Sequence, residues 1–422
     1  MKEDLLHYIW QFRQYSNLDI YTQDRQLIHV VKTGILNHHA GPDFENSSIK
    51  ISQLLWNGDV EVHLKSSDWN RHKHHTDKSY NKVILHVVWQ DDKKIFNQAG
   101  EKIPTLELSG IVDESLLSRY KFLMENKKWI PCQDFFEERD QFAFHQFLDR
   151  LLIERLEQKS KHIHATWLAN NKSWEQTFYQ FFCSALGLKI NAEPMFQLAK
   201  LLPLSVLAKH RDSVFQLEAM LFGVAGFLSQ PVDNYSSSLH KEFLFLQHKY
   251  SLEQMDKSSW KFMRLRPAGF PTVRLAQIAQ LIHVNSSLFS KIINMESLEQ
   301  FKKLFDFSVS EYWLTHYSFG KKSASRKKSI GESLVKSIII NTVSPILFVY
   351  SRQIDDCNFQ EKSLDWLVDM SPEDNHIIRK FNNLGLVSKN SAHTQSLLQL
   401  KKNYCNAKKC LNCNIGNHYL SK

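Results

Sequence analysis

A chain of 422 residues, 43% hydrophobic and 12% aromatic, carries enough apolar side chains for two or three domain cores, which excludes disorder over most of its length. Its formal net charge of +9 permits attraction to phosphate backbones without requiring it. Six cysteines are too few for a disulfide scaffold, and the N-terminus lacks a basic end followed by a plain apolar run, so a reducing, cytoplasmic setting without export is expected.

The elements follow in chain order. Leu5, Leu6, Ile9, Trp10 and Phe12 share one face of a short helix over Glu3–Tyr15. From Gln26 to about Leu108 the pattern turns to β-branched runs of period two, LIHVVKTGIL, SSIKI, DVEVHLK, VILHVVWQ and KIPTLEL, which predict a sheet. Asn57-Gly58 between QLLW and DVEVHLK signals a tight hairpin, and Gln98-Ala99-Gly100 a weaker turn. After Pro131 helical periodicity takes over, over Gln141–Ser160, Trp174–Leu188, Met195–Lys209 and Val214–Leu228.

Further on, RLRPAGFPTVR places Arg264, Arg266 and Arg274 around a proline-stiffened turn, which either ties two helices or faces a phosphate backbone. The run KKSASRKK at Lys321–Lys328 reads as a mobile basic loop. The most apolar run, Ser337 to Tyr350, is interrupted by Asn341, Ser344 and Pro345 and falls short of the roughly 20 residues a membrane helix needs. It is expected as a buried helix or strand, and no membrane partner is expected.

The stretch richest in chemistry runs from Gly41 to His86. Strand alternation puts Asp59, Glu61, His63 and Lys65 on one face and Val60, Val62 and Leu64 on the other. A solvated strand tolerates such a row, and a metal site needs one: carboxylate oxygens from Asp43 and Glu61, an imidazole from His63 and a cation at Lys65. His72, His74, His75 and Asp77 follow within six residues, as a surface cluster or as further ligands, and His86 interrupts an apolar strand as a core histidine or a ligand. At the C-terminus Cys405, Cys410 and Cys413 have C-x4-C-x2-C spacing; a closed site needs a fourth ligand from Cys132, Cys357 or His418, and zinc or an iron–sulfur cluster fits the thiols. Loose thiols in a helical tail are the other reading. Cys183, in FFCSALGL, reads as a small core hydrophobe.

Pro42-Asp43 followed across a hairpin by Glu61-Val62-His63 resembles the PD-(D/E)XK nuclease superfamily, in which a Pro-Asp opens one strand and an acid-x-lysine lies on the next. The lysine of that pattern is His63 here, with Lys65 two residues on, and the likeness covers at most the first 110 residues. The resemblance implies a restriction-endonuclease-like core in which Asp43 and Glu61 hold magnesium or manganese for phosphodiester hydrolysis of DNA or RNA, with His63 or Lys65 positioning water and the histidines shifting preference toward manganese or zinc. More broadly, GPDF at 41–44, GDVEVHLKSSDW at 58–69, the run from His72 to Asp77, VILHVV at 83–88, RPAGFP at 266–271 and CLNCNIG near the end resemble an uncharacterised bacterial family, domain of unknown function 2851, which implies no activity.

These readings predict an α/β (α+β) protein: a sheet-containing module over 1–130 with mixed strands, a helical body over 131–400, and a cysteine tail over 401–422 packed on that body. The expected metal ligands are Asp43, Glu61, His72, His74, His75 and Asp77 at the first site and Cys132, Cys405, Cys410 and Cys413 at the second. The expected function is a metal-dependent nuclease. A non-enzymatic nucleic-acid-binding or scaffold protein and a small-molecule hydrolase are the alternatives.

Overall fold

The computed structural model describes residues 2–15 and 19–422 and is mixed α+β, with a sheet unit formed by residues 1–147 and 400–422 and a helical unit, Leu148–Gln399. The boundary thus falls after the Pro131 region, and the cysteine tail belongs to the sheet unit and not to the helical body. Local packing accounts for this: Tyr419 stacks on Phe135 with ring centroids 3.6 Å apart, and Lys401 donates to the Trp129 carbonyl at 2.6 Å.

In the sheet unit, helix α1 (Glu3–Gln11) buries Leu5, Leu6, Ile9 and Trp10, and the Trp10 indole donates to Thr33 O. Seven strands follow: β1 (Ile20–Tyr21), β2 (Leu27–Lys32), β3 (Ile35–Leu36), β4 (Phe44–Ile51), β5 (Leu54–Lys65), β6 (Val83–Gln90) and β7 (Thr105–Glu107). They lie in the order β1-β2-β4-β5-β6-β7, with β3 also on β4. The pairs as far as β5 are antiparallel, and β5-β6 and β6-β7 are parallel. The sheet is nearly barrel-shaped, its two ends drawn together where Gln23 N–H donates to Thr105 O at 3.0 Å.

The β4–β5 hairpin turns at Ser52-Gln53, where Ile51 pairs with Leu54 and Ser52 has φ +52°, and not at Asn57-Gly58. Gly58 lies within β5 because a Cβ there would sit 2.4 Å from Lys82 O and 2.5 Å from the Ile84 side chain. A glycine inside a strand often marks such a close approach, and this one lets the chain entering β6 pass against β5. At the weaker turn signal, Gly100 adopts φ +80° and donates to Asn97 O.

The helical unit is built on long apolar helices such as Trp174–Leu186, Val214–Val224 and Pro271–Val284, whose side chains form one contiguous core. Pro203 divides the expected helix Met195–Lys209 into Leu188–Leu201 and Leu204–Ala208, since it cannot donate to the helical ladder. The apolar run near Ser337 belongs to a longer helix, Glu332–Ile354, which has the length and hydropathy to cross a membrane and whose most apolar window is 72% buried inside the protein. The basic run is held at several points: Lys328 is buried and donates to Leu314 O at 2.8 Å, and Lys327 pairs with Asp306 at 2.9 Å.

Candidate metal centre

The parallel pairing of β5 and β6 requires a crossover, residues 66–82, and this crossover carries the histidines. It is anchored at its start, where Asp92 accepts from Ser66 Oγ, Ser67 N and Ser67 Oγ. Helix α2 (Asp68–Arg71) then buries Trp69 completely among Val83, Ile95 and Ile103, with its indole donating to Phe96 O at 3.0 Å. Lys73 takes a left-handed conformation, φ +65°, so the chain turns sharply between His72 and His74. Tyr80 closes over His74 with ring centroids 3.8 Å apart and donates to Gly41 O.

Beneath this loop lie the acids. Asp43, just before β4, and Glu61, on β5, interlock: the Asp43 N–H donates to Glu61 Oε2 at 3.0 Å, and the Val62 N–H donates to Asp43 Oδ2 at 3.0 Å. The two acids expected across the hairpin are therefore side by side, each carboxylate bonded to the backbone of the other's segment. Both faces of β5 are buried here, since Val60 and Val62 are inaccessible and Glu61 and His63 are only 4% and 2% exposed. A solvated acidic row is thereby excluded at Glu61 and His63.

Around Glu61 the imidazoles converge. Glu61 Oε1 stands 3.4 Å from His63 Nε2 and 3.2 Å from His74 Nε2, and His63 Nε2 stands 3.1 Å from His72 Nδ1. His63, His72 and His74 each offer a nitrogen within 4.8 Å of the others. A four-coordinate ion with bonds of about 2.0–2.1 Å sets neighbouring ligand atoms about 3.3–3.4 Å apart; the three contacts of 3.4, 3.2 and 3.1 Å lie near that spacing, and the three imidazoles alone form the group whose donor atoms all converge. Behind it, His63 Nδ1 lies 2.8 Å from Nε2 of the fully buried His86. With the His63 proton on Nδ1 and donated to His86, the Nε2 lone pair faces the cage, the arrangement by which an outer partner fixes a ligand's tautomer.

Electrostatics agree with this donor set. Burial, then the neighbouring Asp43 carboxylate, pushes the Glu61 pKa up to about 9. Burial, then the adjacent His74 and His72, pushes His63 down to about 3, and burial also lowers His74 and, further still, His86. His63, His74 and His86 therefore favour the neutral form that a ligand must take, and Glu61 holds a proton that a cation would displace. His7 is the exception. Burial opposes its cation, but Asp43, whose Oδ2 is 3.2 Å from His7 Nε2, outweighs burial and raises its pKa.

The remaining expected residues lie elsewhere. Lys65 is exposed at the end of β5, and Asp59 accepts from Asn46 N at 3.0 Å. Asp77 is exposed and accepts from Ser79 N and Oγ, and neither it nor His75 is among the converging atoms. In the helical unit Arg264 and Arg266 are exposed, whereas Arg274 is buried and donates to Gln277 Oε1 at 2.8 Å. The sequence reading did not single out His7 or Tyr80. The signal for His7 was a histidine set between Leu6 and Tyr8 within the apolar run Leu5–Trp10.

Fold and site together define an α+β protein whose mixed sheet carries buried imidazoles and carboxylates beneath a histidine-bearing crossover. A family model described as a protein of unknown function, DUF2851, matches residues 3–376, and the chain belongs to that family. No curated protein and no solved structure matches it.

Proposed function

We propose that this protein is a metal-dependent phosphodiesterase acting on nucleic acid, with its centre at Glu61, His63, His72 and His74 and with Asp43 and His7 beside it. The observation that carries the reading is the convergence of one ring nitrogen each from His63, His72 and His74 within 4.8 Å of one another, with a buried Glu61 oxygen 3.4 Å from His63 and 3.2 Å from His74. Imidazole-rich sets favour zinc or another transition metal over magnesium, which prefers oxygen ligands and bound water. When bound, such an ion supplies Lewis acidity and a water made acidic enough to attack phosphorus.

The chain's own residues supply the rest. Asp43 is held by the Val62 N–H with its carboxylate beside Glu61, where it orients an incoming water and takes up its proton. His7, whose pKa burial lowers but the adjacent Asp43 raises on balance, donates to the departing oxygen or to the charge that gathers on the phosphoryl oxygens. Support for the phosphodiester comes from the Pro-Asp and Glu-x-His pattern on neighbouring strands and from the net charge of +9. An open depression of roughly 550 Å³ also lies along β4 and β5; Lys32 and Lys82 line it together with Glu45 and Asp59, so its charge is balanced and the support for a phosphate backbone there comes from its polar Asn and Ser lining alone.

The test is cleavage of labelled single- and double-stranded DNA and RNA, and of bis(p-nitrophenyl) phosphate, with zinc, manganese or magnesium. Metal-dependent cleavage of a polynucleotide that disappears in Glu61→Gln and His72→Ala is expected. Hydrolysis of the small ester alone would shift the reading to a small-molecule hydrolase. No hydrolysis by protein shown to have bound the metal would end it.

A further inference from the structure

The phosphodiesterase reading makes no use of the cysteines, yet the sheet unit gathers four of them. Cys132 lies at the start of the 3-10 turn Gln133–Glu138, and the C-terminal tail packs against the segment that carries it. Lys401 donates to Trp129 O, Lys408 to Met124 O, and Arg119 to Leu420 O at 3.1 Å, while Tyr419 stacks on Phe135 at 8° between ring planes. These contacts fall on both sides of Cys132 in the chain, so Cys405, Cys410 and Cys413 are brought to it. Cys132, Cys410 and Cys413 are buried, Cys405 is half-buried, and all four are free thiols.

Four thiols packed only as small hydrophobes would need no charge nearby. Here the ammonium groups of Lys401 and Lys408, from the tail that carries Cys405, Cys410 and Cys413, are both held on the segment before Cys132 through Trp129 O and Met124 O. Four thiolates around one divalent ion carry a net charge of about two minus, which two ammonium groups offset. The backbone is built tightly at the same point. Cys413 N–H donates to Cys410 O at 3.2 Å, closing a single turn, and a Cβ on Gly416 would sit 2.1 Å from that carbonyl, so only glycine lets helix Asn414–Leu420 seat there. Cys183 lies buried in the helical unit and Cys357 is exposed, and neither belongs to the group.

The geometry points to a closed tetrathiolate metal centre formed by Cys132, Cys405, Cys410 and Cys413, which takes zinc or an iron–sulfur cluster and clips the C-terminal tail to the segment after residue 126. All four positions are protein-held, so its role is structural: each thiol gives up a proton on binding, and the binding free energy becomes folding free energy.

The experiment uses the full chain purified without oxygen. Metal content and the visible spectrum of the wild type separate the two occupants: colourless protein with one zinc per chain beyond any lost in His72→Ala, or a brown chromophore that bleaches on reduction. For zinc, cobalt exchange should bring a sulfur-to-cobalt charge-transfer band in the near ultraviolet with the strong visible bands of a tetrahedral ion. Cys132→Ser should lose the metal or the band, and Cys357→Ser should keep both. The wild type alone can overturn the inference, if it has no chromophore and cobalt produces no thiolate band. A Cys132→Ser variant with undiminished metal and an unchanged band would also overturn it. Since the readout is thiolate ligation, failure here leaves the Glu61 site untouched, and loss of hydrolysis in Glu61→Gln leaves the tetrathiolate untouched.

Discussion

His72→Ala is the most informative perturbation of the imidazole cluster, because His72 is exposed while His63 is 2% exposed. Truncating it opens no cavity, and a surface change of this kind moves stability by less than about 0.5 kcal/mol. Its effect on a metal should be far larger. A four-ligand protein site binds zinc with about 10–16 kcal/mol at neutral pH, or roughly 2.5–4 kcal/mol per ligand. Water entering the vacated position recovers part of that, which leaves a loss of about 2–3 kcal/mol, or about 30- to 150-fold in affinity. Manganese is the ion to use, since it prefers imidazole and carboxylate to thiolate and so ignores the cysteines. Free manganese followed by electron paramagnetic resonance gives the affinity, and thermal melts of the metal-free proteins give the stability. Equal affinity in wild type and variant, with matching melts, would refute the assignment of His72 Nδ1 as a ligand; a wild type with no saturable site would refute the cage.

Glu218 offers a pH test in the helical unit. Its oxygens accept from Tyr235, Trp313 and Ser310, but burial outweighs these donors and raises its pKa above the ordinary 4.5. The folded state thus keeps a proton that the unfolded chain releases, so this stabilisation is complete below pH 4.5 and is lost as pH rises through the folded pKa. Glu218→Gln should flatten the fall in stability as pH rises above 4.5, read from urea melts; an unchanged slope would count against the raised pKa. Gly223→Ala should destabilise by about 1–3 kcal/mol or more through overpacking, since its Cβ would meet the Phe243 ring at 2.1 Å, and a melt within experimental error of wild type would contradict that contact. If the RLRPAGFPTVR turn meets a polyanion, Arg264→Ala and Arg266→Ala should each weaken DNA binding and lower the salt slope by about 0.9, while buried Arg274→Met leaves binding intact; loss of binding in folded Arg274→Met alone would reverse that assignment.

Much of the sheet was legible because its strands alternate and are β-branched, and the meeting of Asp43 with Glu61 followed from placing them on neighbouring strands. The turn position was not legible. Asn57-Gly58 has the composition of a tight hairpin, and the competing use of glycine, to admit Lys82 O and Ile84 against the strand, depends on a chain segment that begins 24 residues further along the sequence and packs against it in space. The hairpin still joins the same two strands, so the error moved the turn without separating the acids. Period two also put Lys65 on the catalytic face. Its side chain lies where β5 leaves the sheet, however, and alternation carries no information about where a strand stops being covered.

The histidines show a different limit. Within the run from His72 to Asp77 the residue types alone do not separate ligands from bystanders; the left-handed turn at Lys73 does, by bringing His72 and His74 toward His63 while Asp77 spends its carboxylate on Ser79. His86 was the hardest to judge from one strand, since a histidine amid VILHVV reads equally as core or ligand. Its place follows only from the parallel register that sets His86 beside Glu61 and from the 2.8 Å contact with His63. It is then neither a bystander nor a ligand. It fixes which His63 nitrogen is free to bind, so a change such as His86→Phe should weaken metal binding through tautomer and orientation, by about 10- to 100-fold, and a variant that folds and binds manganese as tightly as wild type would show that His63 needs no such partner.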